Sequence, residues 1–327
     1  MSFRLFNPGC IQRENRWTIR KWLLVIFFLA LIVFLILAFV HQSFYYCSGP
    51  FGDSNHVDLS WHTNYDKFMK GKCTEGHNNG VKINKLSFIA RLILKKTETK
   101  REAICAGTLI ADDIVITAAH CVNNINLADL EVNIGNPPNI EIFTNFEKKD
   151  IKIHKKYHNE KYSNDIALIK LNRTVDPSST TSTLCIPFDE KNIRKNLTMG
   201  EWNTKDIDLN YPRILETTVN GINNVECGQE LYNLVEVVQR SRSSQISNEA
   251  IEIKGTKEVN YEQFCAGNET VKQGNSGMPV YGNDLITGAP TIFGFVSFGV
   301  KEGFGSNVPT VFTKIYDYRH WILCNAY

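Results

Sequence analysis

The hydrophobic positions change their spacing along the chain. Between Trp22 and Val40 they are almost continuous, and these nineteen residues carry no charge. From about residue 77 they form short runs separated by turn residues, which are LSFIARLIL, AGTLI, DIVITAA, DIALIKL and TIFGFVSFGV. Short β-type runs of this kind predict an all-β sandwich or barrel.

Two segments follow a helical spacing instead, GQELYNLVEVVQR and the C-terminal KIYDYRHWILC. Their apolar residues recur on one helical face: Leu231, Leu234, Val235 and Val238 in the first, and Ile315, Tyr318 and Ile322 in the second. We expect both helices to pack on the β structure rather than to bind a ligand.

The uncharged segment 22–40 predicts a single transmembrane helix, because nineteen residues at helical rise just cross the hydrocarbon core. A cleaved secretory signal is the alternative, although AFVHQSFYYC offers no small-residue cleavage pattern. The positive-inside rule places residues 1–21 in the cytosol and the rest of the chain outside the cell. The first Lys or Arg after the segment is Lys67, whereas five basic residues precede it: Arg4, Arg13, Arg16, Arg20 and Lys21.

Residues 41–76 are polar, lack a sustained period and predict a stalk, which leaves 77–327 as one extracellular domain. Three glycosylation sequons, at Asn172, Asn196 and Asn268, fit that location. The chain has nine cysteines, and with Cys10 on the cytosolic side the other eight suit four disulfides in an oxidising compartment.

The charge balance argues against a nucleic-acid partner, since 36 Lys and Arg residues face 34 Asp and Glu residues for a net charge of +2. We see neither a metal-ligand cluster nor a phosphate-binding loop, so we expect no cofactor. The membrane is the partner expected from the uncharged segment 22–40.

Three local stretches offer the groups that acyl transfer by serine requires. TAAHC supplies the imidazole of His120, NDIALIKL the carboxylate of Asp165, and GNSG the hydroxyl of Ser276 with the N–H of Gly274. Each stretch alone is weak evidence, because a lone histidine, a strand-capping aspartate and a turn serine are common.

In this order the three stretches resemble the chymotrypsin/trypsin family of serine proteases. CAGTLIADDIVITAAHC is similar to the family's approach to its histidine, and FCAG, SFG, PTVFTKI and the terminal helix follow in family order. The resemblance covers residues 77–327 and implies two six-stranded antiparallel β-barrels with a C-terminal helix and a cleft between the barrels.

The resemblance also implies roles for individual residues. His120 would be general base and then acid, Asp165 would hold its tautomer, and Ser276 would attack the peptide carbonyl. The amides of Gly274 and Ser276 would form the oxyanion hole. The segment Ser297, Phe298 and Gly299 would pair with the substrate backbone as an added strand.

Three departures from the family concern the nucleophile loop and its activation. The family has an aspartate before its serine, which pairs with the amine released by zymogen cleavage, whereas this chain has Asn275. At the expected cleavage junction, Gly76 and His77 do not resemble a trypsin-cut site. Met278 stands where the family has glycine. A conventional zymogen is therefore not expected, and the enzyme is either active as made or impaired.

The expected specificity pocket also departs from the family. Thr270 replaces the aspartate of enzymes that cut after Lys or Arg, and Thr310 replaces a glycine of the pocket wall. We expect a small, uncharged side chain at P1, the substrate residue before the cut bond. A glycan on Asn268 would lie close to this pocket.

The resemblance implies three disulfides, and the family bridge that would begin at Lys272 is missing. The expected pairs are Cys105–Cys121, Cys227–Cys265 and Cys73–Cys185, with Cys47 and Cys324 left over as candidates to pair. Two functions remain open. One is a membrane-anchored serine endopeptidase with a polypeptide substrate, favoured by the three intact residues. The other is a pseudoprotease that binds a polypeptide ligand without turnover, favoured by Asn275, Met278 and the missing activation junction.

Overall fold

The computed structural model describes residues 20–38, 59, 62, 64–69, 73, 86–97, 100–135, 139–176, 181–187, 196–202, 214–222, 224–241, 259–266, 274–285, 287–299 and 309–326. The chain divides into two compact units, residues 1–52 and residues 53–327. In the first unit, helix α1 spans Arg20–Ala38 and is long and apolar enough to cross a membrane.

The N-terminal half of the second unit is an antiparallel seven-stranded sheet in the order β5-β4-β1-β2-β3-β7-β6. Its central strands are rich in Ile, Val, Leu and Ala and are buried on both faces. The strands are β1 Ile89–Lys95, β2 Arg101–Ala111, β3 Ile114–Thr117, β4 Leu130–Ile134, β5 Glu141–Phe143, β6 Ile151–Ile153 and β7 Ala167–Lys170.

The C-terminal half is a closed six-stranded barrel in the order β10-β13-β12-β11-β8-β9. Large aromatic side chains fill it, and Phe264 and Phe312 stack with their ring centroids 5.1 Å apart. The strands are β8 Asn196–Trp202, β9 Ile214–Ile222, β10 Gln263–Ala266, β11 Pro279–Asn283, β12 Pro290–Phe298 and β13 Thr310–Lys314.

The all-β prediction and the six-stranded C-terminal barrel are confirmed, but the N-terminal half is an open sheet with β5 and β6 at its edges rather than a closed barrel. That sheet has seven strands instead of six because the segment between β4 and β7 forms two three-residue strands on opposite edges. β5 pairs with β4, whereas β6 pairs with β7. A sequence pattern that short does not reveal which partner strand it joins.

Among the described residues of the second unit there are four α-helices: α2 Tyr65–Met69, α3 Ala119–Val122, α4 Asn224–Ser241 and α5 Arg319–Asn325. The predicted apolar face of the C-terminal segment is confirmed, since Ile315, Tyr318 and Ile322 are all buried. In α4, Leu231 is buried as expected, while the side chains of Leu234, Val235 and Val238 lie outside the described residues.

Part of the segment predicted to be a stalk packs on the domain. Phe68 of α2 is 2% exposed, and the Asn64 side chain donates to the carbonyl of Leu323 over 2.8 Å. Lys67 lies 2.9 Å from a carboxylate oxygen of Asp113, which also pairs with Lys170. Burial alone would raise the pKa of Asp113, but the hydrogen bonds from the two lysines outweigh it and hold that pKa below its ordinary value.

Disulfides join each of the three pairs expected from the resemblance, Cys73–Cys185, Cys105–Cys121 and Cys227–Cys265. The first closes the docked segment onto the domain across 112 residues of sequence. Cys47, which would pair with Cys324, lies outside the described residues, as does Cys10. Among the sequons, Asn172 is exposed on a turn, Asn196 begins β8, and Asn268 is outside the described residues.

Candidate active site

The structure brings His120 and Asp165 together. His120 lies in α3, one turn after the buried strand β3, and Asp165 lies just before β7, which pairs with β3. Nδ1 of His120 is 2.8 Å from Oδ2 of Asp165, and the His120 main-chain N–H donates to Oδ1 over 2.9 Å. Both carboxylate oxygens therefore hold the same residue, one through its ring and the other through its backbone.

Asp165 is 1% exposed and is held further by residues of the C-terminal barrel. The hydroxyl of Ser297 donates to Oδ2 over 2.6 Å, and the hydroxyl of Thr313 donates to the Asp165 carbonyl over 3.0 Å. Three donors converge on the side-chain carboxylate, which compensates for its removal from water. A carboxylate held in this way accepts from Nδ1–H and leaves Nε2 of His120 as a proton acceptor.

The turn that carries Asp165 is also anchored by Tyr318, through the adjacent residue Asn164. The Tyr318 hydroxyl donates to Oδ1 of Asn164 over 3.3 Å. Burial raises the pKa of Tyr318, so the hydroxyl stays protonated and remains a donor across the physiological range. The turn from Tyr162 to Asp165 is thereby tied to the C-terminal segment that follows β13, although its own sequence lies between strands of the N-terminal sheet.

Ser276 lies just before β11 of the C-terminal barrel, on a loop that contacts both halves of the domain. Its carbonyl accepts from the N–H of Ala106 on β2 over 2.7 Å, and the next residue, Gly277, donates to the carbonyl of Val296 on β12 over 2.7 Å. Ala106 adjoins the Cys105–Cys121 bridge beside His120, and Val296 adjoins Ser297, which contacts Asp165. These contacts bring the loop to the same region as the His120–Asp165 pair.

Gly277 allows this close approach. Its φ is +80°, and a Cβ placed on it would lie 2.0 Å from the carbonyl oxygen of Ala106 and 2.6 Å from Oγ1 of Thr117. Thr117 Oγ1 itself donates to the Ala106 carbonyl over 2.7 Å. Gly274, whose amide is the expected oxyanion donor, also has a positive φ of +90°.

The expected substrate-facing residues are described in part. β11 pairs with β12 only as far as Phe295, so the backbone of Phe298 and Gly299 extends past the end of β11. The side chain of Ser297 points to Asp165 rather than toward a substrate. Thr310 is buried on β13, opposite Ala266, and Thr270 lies outside the described residues.

Two further residues of the site were missed by the sequence analysis. The Tyr162 ring meets the His120 ring edge-on, with centroids 5.4 Å apart, and lies 5.2 Å from the Phe298 ring. Gln263, 4% exposed, donates to the Tyr162 carbonyl over 3.0 Å and accepts from the Asn260 N–H over 3.1 Å. The signal for Tyr162 was an aromatic residue three positions before Asp165 in a polar run, whereas nothing local marks Gln263.

The ligand atoms of Cys105, His120 and Cys121 lie within 4.8 Å of one another, as metal ligands would. The two sulfurs are joined in a disulfide, however, and a metal ion requires thiolates. Cys105, His120 and Cys121 therefore do not form a metal centre.

Comparison with known proteins agrees with this geometry. A family model described as Trypsin matches residues 77–322. Trypsin beta of Drosophila erecta is 25% identical over 224 residues, covering 68% of this chain and 78% of the relative. The clotting factor G beta subunit of Tachypleus tridentatus is 26% identical over 236 residues, covering 67% and 70%. CLIP domain-containing serine protease B4 of Anopheles gambiae is 23% identical over 270 residues, covering 76% and 69%. The chain therefore belongs to the chymotrypsin/trypsin-like family of serine proteases.

Proposed function

We propose that the chain is a membrane-anchored serine endopeptidase that hydrolyses peptide bonds with Ser276, His120 and Asp165. The observation that supports this most directly is the buried carboxylate of Asp165, which accepts from His120 Nδ1 and from Ser297. A purely structural aspartate would not need to orient a partly exposed imidazole.

The reaction follows from these positions. Oγ of Ser276 bonds to the peptide carbonyl carbon while its proton passes to Nε2 of His120, and the charge on the carbonyl oxygen is met by the amides of Gly274 and Ser276. The C–N bond then breaks as the imidazolium returns the proton to the leaving amine. Water, deprotonated by the same imidazole, releases the acyl group and regenerates the serine.

The substrate would lie along Phe298 and Gly299, whose backbone continues beyond β11 and can pair with an extended peptide. Tyr162 would form the wall next to His120. A small, uncharged side chain is expected at the cleaved residue, because Thr310 narrows the expected pocket and no carboxylate stands at Thr270.

Activity would not depend on a conventional activating cut. Asn275 is 1% exposed, and its carbonyl accepts from the Met278 N–H over 2.9 Å. Main-chain hydrogen bonds to Ala106 and Val296 already hold the loop on both sides. These contacts support an enzyme that is active as made.

The apolar helix α1 would anchor the protein, with residues 1–21 in the cytosol and the protease domain outside the cell. The three disulfides fit an oxidising compartment. A cleaved signal is the alternative for this helix. Treatment of the expressed protein with an N-glycosidase tests the orientation through the sequon at the exposed Asn172.

The function is tested by covalent labelling of the detergent-solubilised full chain with a biotinylated diphenyl phosphonate that carries an alanine-type side chain. Labelling of the wild type that is absent in Ser276→Ala and in His120→Ala supports the endopeptidase. Labelling that persists in Ser276→Ala, or none in the wild type, contradicts it. If the wild type is not labelled, binding of a peptide with alanine at P1, without cleavage, would identify a peptide-binding domain.

Gln263 is expected to influence binding of the substrate residue that precedes P1. In Gln263→Leu the Tyr162 carbonyl loses its donor, which costs on the order of 1–3 kcal/mol for a buried acceptor. Because Tyr162 lines the site and does not react, KM should rise several-fold, roughly 3–10-fold, with kcat nearly unchanged. Steady-state kinetics on two peptides, with glycine or leucine at that position, measure the effect.

The control for this prediction is Gln229→Leu, an exposed glutamine on α4 that bonds only locally to Asn233 over 3.1 Å. It removes the same side-chain amide from the same half of the domain. Equal KM values for Gln263→Leu and Gln229→Leu would contradict the role of Gln263.

A further inference from the structure

Met278 is buried directly behind the nucleophile loop. Its side chain is 0% exposed, its N–H donates to the Asn275 carbonyl over 2.9 Å, and its carbonyl accepts from the Val296 N–H over 2.9 Å. The residue therefore closes the turn that contains Ser276 and joins that turn to β12. A long, flexible side chain at such a position must be accommodated by the residues beneath it.

The space for that side chain is provided by Gly200 on β8. A Cβ placed on Gly200 would lie 3.1 Å from Sδ of Met278, 3.0 Å from Cδ1 of Ile89 and 3.5 Å from Cγ2 of Ile214. Ile89 belongs to β1 of the N-terminal sheet, whereas Gly200 and Ile214 belong to the C-terminal barrel. The Met278 side chain thus fills the point where the two halves meet under the loop.

Burial fixes the loop in a different way from an ion pair. Removing the thioether side chain from water favours any loop conformation that keeps it inserted, and the absence of a side chain at Gly200 leaves room for that insertion. The main-chain hydrogen bonds of Met278, to Asn275 and to Val296, connect the packed side chain to the loop and so fix the path of the backbone at Ser276. The neighbour Asn275, an uncharged amide, carries no charge that would need a partner amine.

We propose that Met278 is a positioning residue whose side chain, seated against Gly200 in the core that also contains Ile89 and Ile214, holds the Gly274–Met278 loop ready for catalysis without a cut. The inference rests on the proposed function and adds to it a mechanism of constitutive activation. It also assigns a role to Gly200, which makes room for the methionine.

The inference is tested with Met278→Ala, Met278→Leu and Gly200→Ala in the full chain, using the phosphonate described above and deuterium exchange of the peptide that spans residues 274–280. Met278→Ala is expected to slow labelling at least tenfold, on the order of 10–10²-fold, because loss of loop order removes part of the oxyanion stabilisation. It should lower kcat more than it raises KM. Met278→Leu, which conserves volume, should label within about threefold of the wild type.

The matched control is Met199→Ala, because Met199 is 2% exposed, adjoins Gly200 on β8 and lies outside the loop. It should lower the thermal midpoint as Met278→Ala does while leaving labelling within about threefold and loop exchange unchanged. If Met278→Ala also loses only thermal stability, its role is merely structural and the proposal is wrong.

A double-mutant cycle tests the contact itself. Gly200→Ala should slow labelling in the wild-type background and have a smaller effect when Met278 is already alanine. Additive effects would overturn the contact. If the wild type is not labelled at all, the proposed function fails, but faster exchange confined to residues 274–280 in Met278→Ala still supports the positioning role. Unchanged exchange overturns it.

Discussion

Asp165→Asn is expected to fold and to lose about four orders of magnitude in turnover, which is the size of the loss when the aspartate of a Ser-His-Asp triad becomes asparagine. Three donors converge on this carboxylate, from the His120 backbone, the His120 ring and Ser297. An asparagine replaces one accepting oxygen by an NH2 group, which must face one of these donors. With that NH2 group facing Nδ1, the imidazole favours the tautomer with its proton on Nε2, which cannot accept the Ser276 proton.

The effect is measured as kcat/KM on a peptide substrate, together with the thermal midpoint. Asp112→Asn is the control, because its exposed side chain lies in the turn between β2 and β3, at the opposite end of β3 from His120. Ser297→Ala should fall between the two, since it removes one of the three donors and leaves the His120 contacts in place. A loss below about tenfold in Asp165→Asn would contradict the assigned role of Asp165.

Gly277→Ala is expected to disrupt the nucleophile loop. Gly288→Ala is the control, because it introduces backbone strain without a steric collision. Both glycines have a positive φ, +80° at Gly277 and +69° at Gly288, so alanine is strained by about 1–2 kcal/mol at either position. A Cβ at Gly277 would lie 2.0 Å from the Ala106 carbonyl oxygen, whereas a Cβ at Gly288 has nothing within 4 Å.

The collision at Gly277 involves backbone, which cannot turn aside as a side chain does. The loop must move away from β2, and the hydrogen bond from the Ala106 N–H to the Ser276 carbonyl is lost. We expect a further destabilisation of about 1–3 kcal/mol and a fall in labelling rate on the order of 10²–10³-fold, as for loss of an oxyanion donor. Urea unfolding and phosphonate labelling measure the two effects. Equal labelling of the two alanine variants would show that the loop does not need this close approach.

Much of the fold could be predicted from local pattern. The five short apolar runs coincide with β1, β2, β3, β7 and β12, because a run of branched apolar residues between turns has few alternatives to a buried strand. The C-terminal helical face is also buried as predicted. The three expected disulfides are present, and they could be predicted because the positions of these cysteines follow the family pattern.

Other features depended on contacts between residues far apart in sequence. The segment at Tyr65–Met69 has no marked apolar period, yet it packs through Phe68 and pairs Lys67 with Asp113, which a local pattern does not contain. In the same way the role of Gln263 depends on a carbonyl 101 residues away, at Tyr162. The seventh strand arose because two short segments found partners on opposite edges of one sheet.

By itself the sequence determined which residue types were available at each position: an imidazole at His120, a carboxylate at Asp165, a hydroxyl at Ser276 and the flanking glycines. It also determined the strands, because side-chain period is a local property. Only the tertiary structure decided that the Ser297 hydroxyl would hold Asp165 and that Met278 would be seated against Gly200. Those contacts depend on strand order and register, which are set by long-range pairing and packing rather than by neighbouring residues.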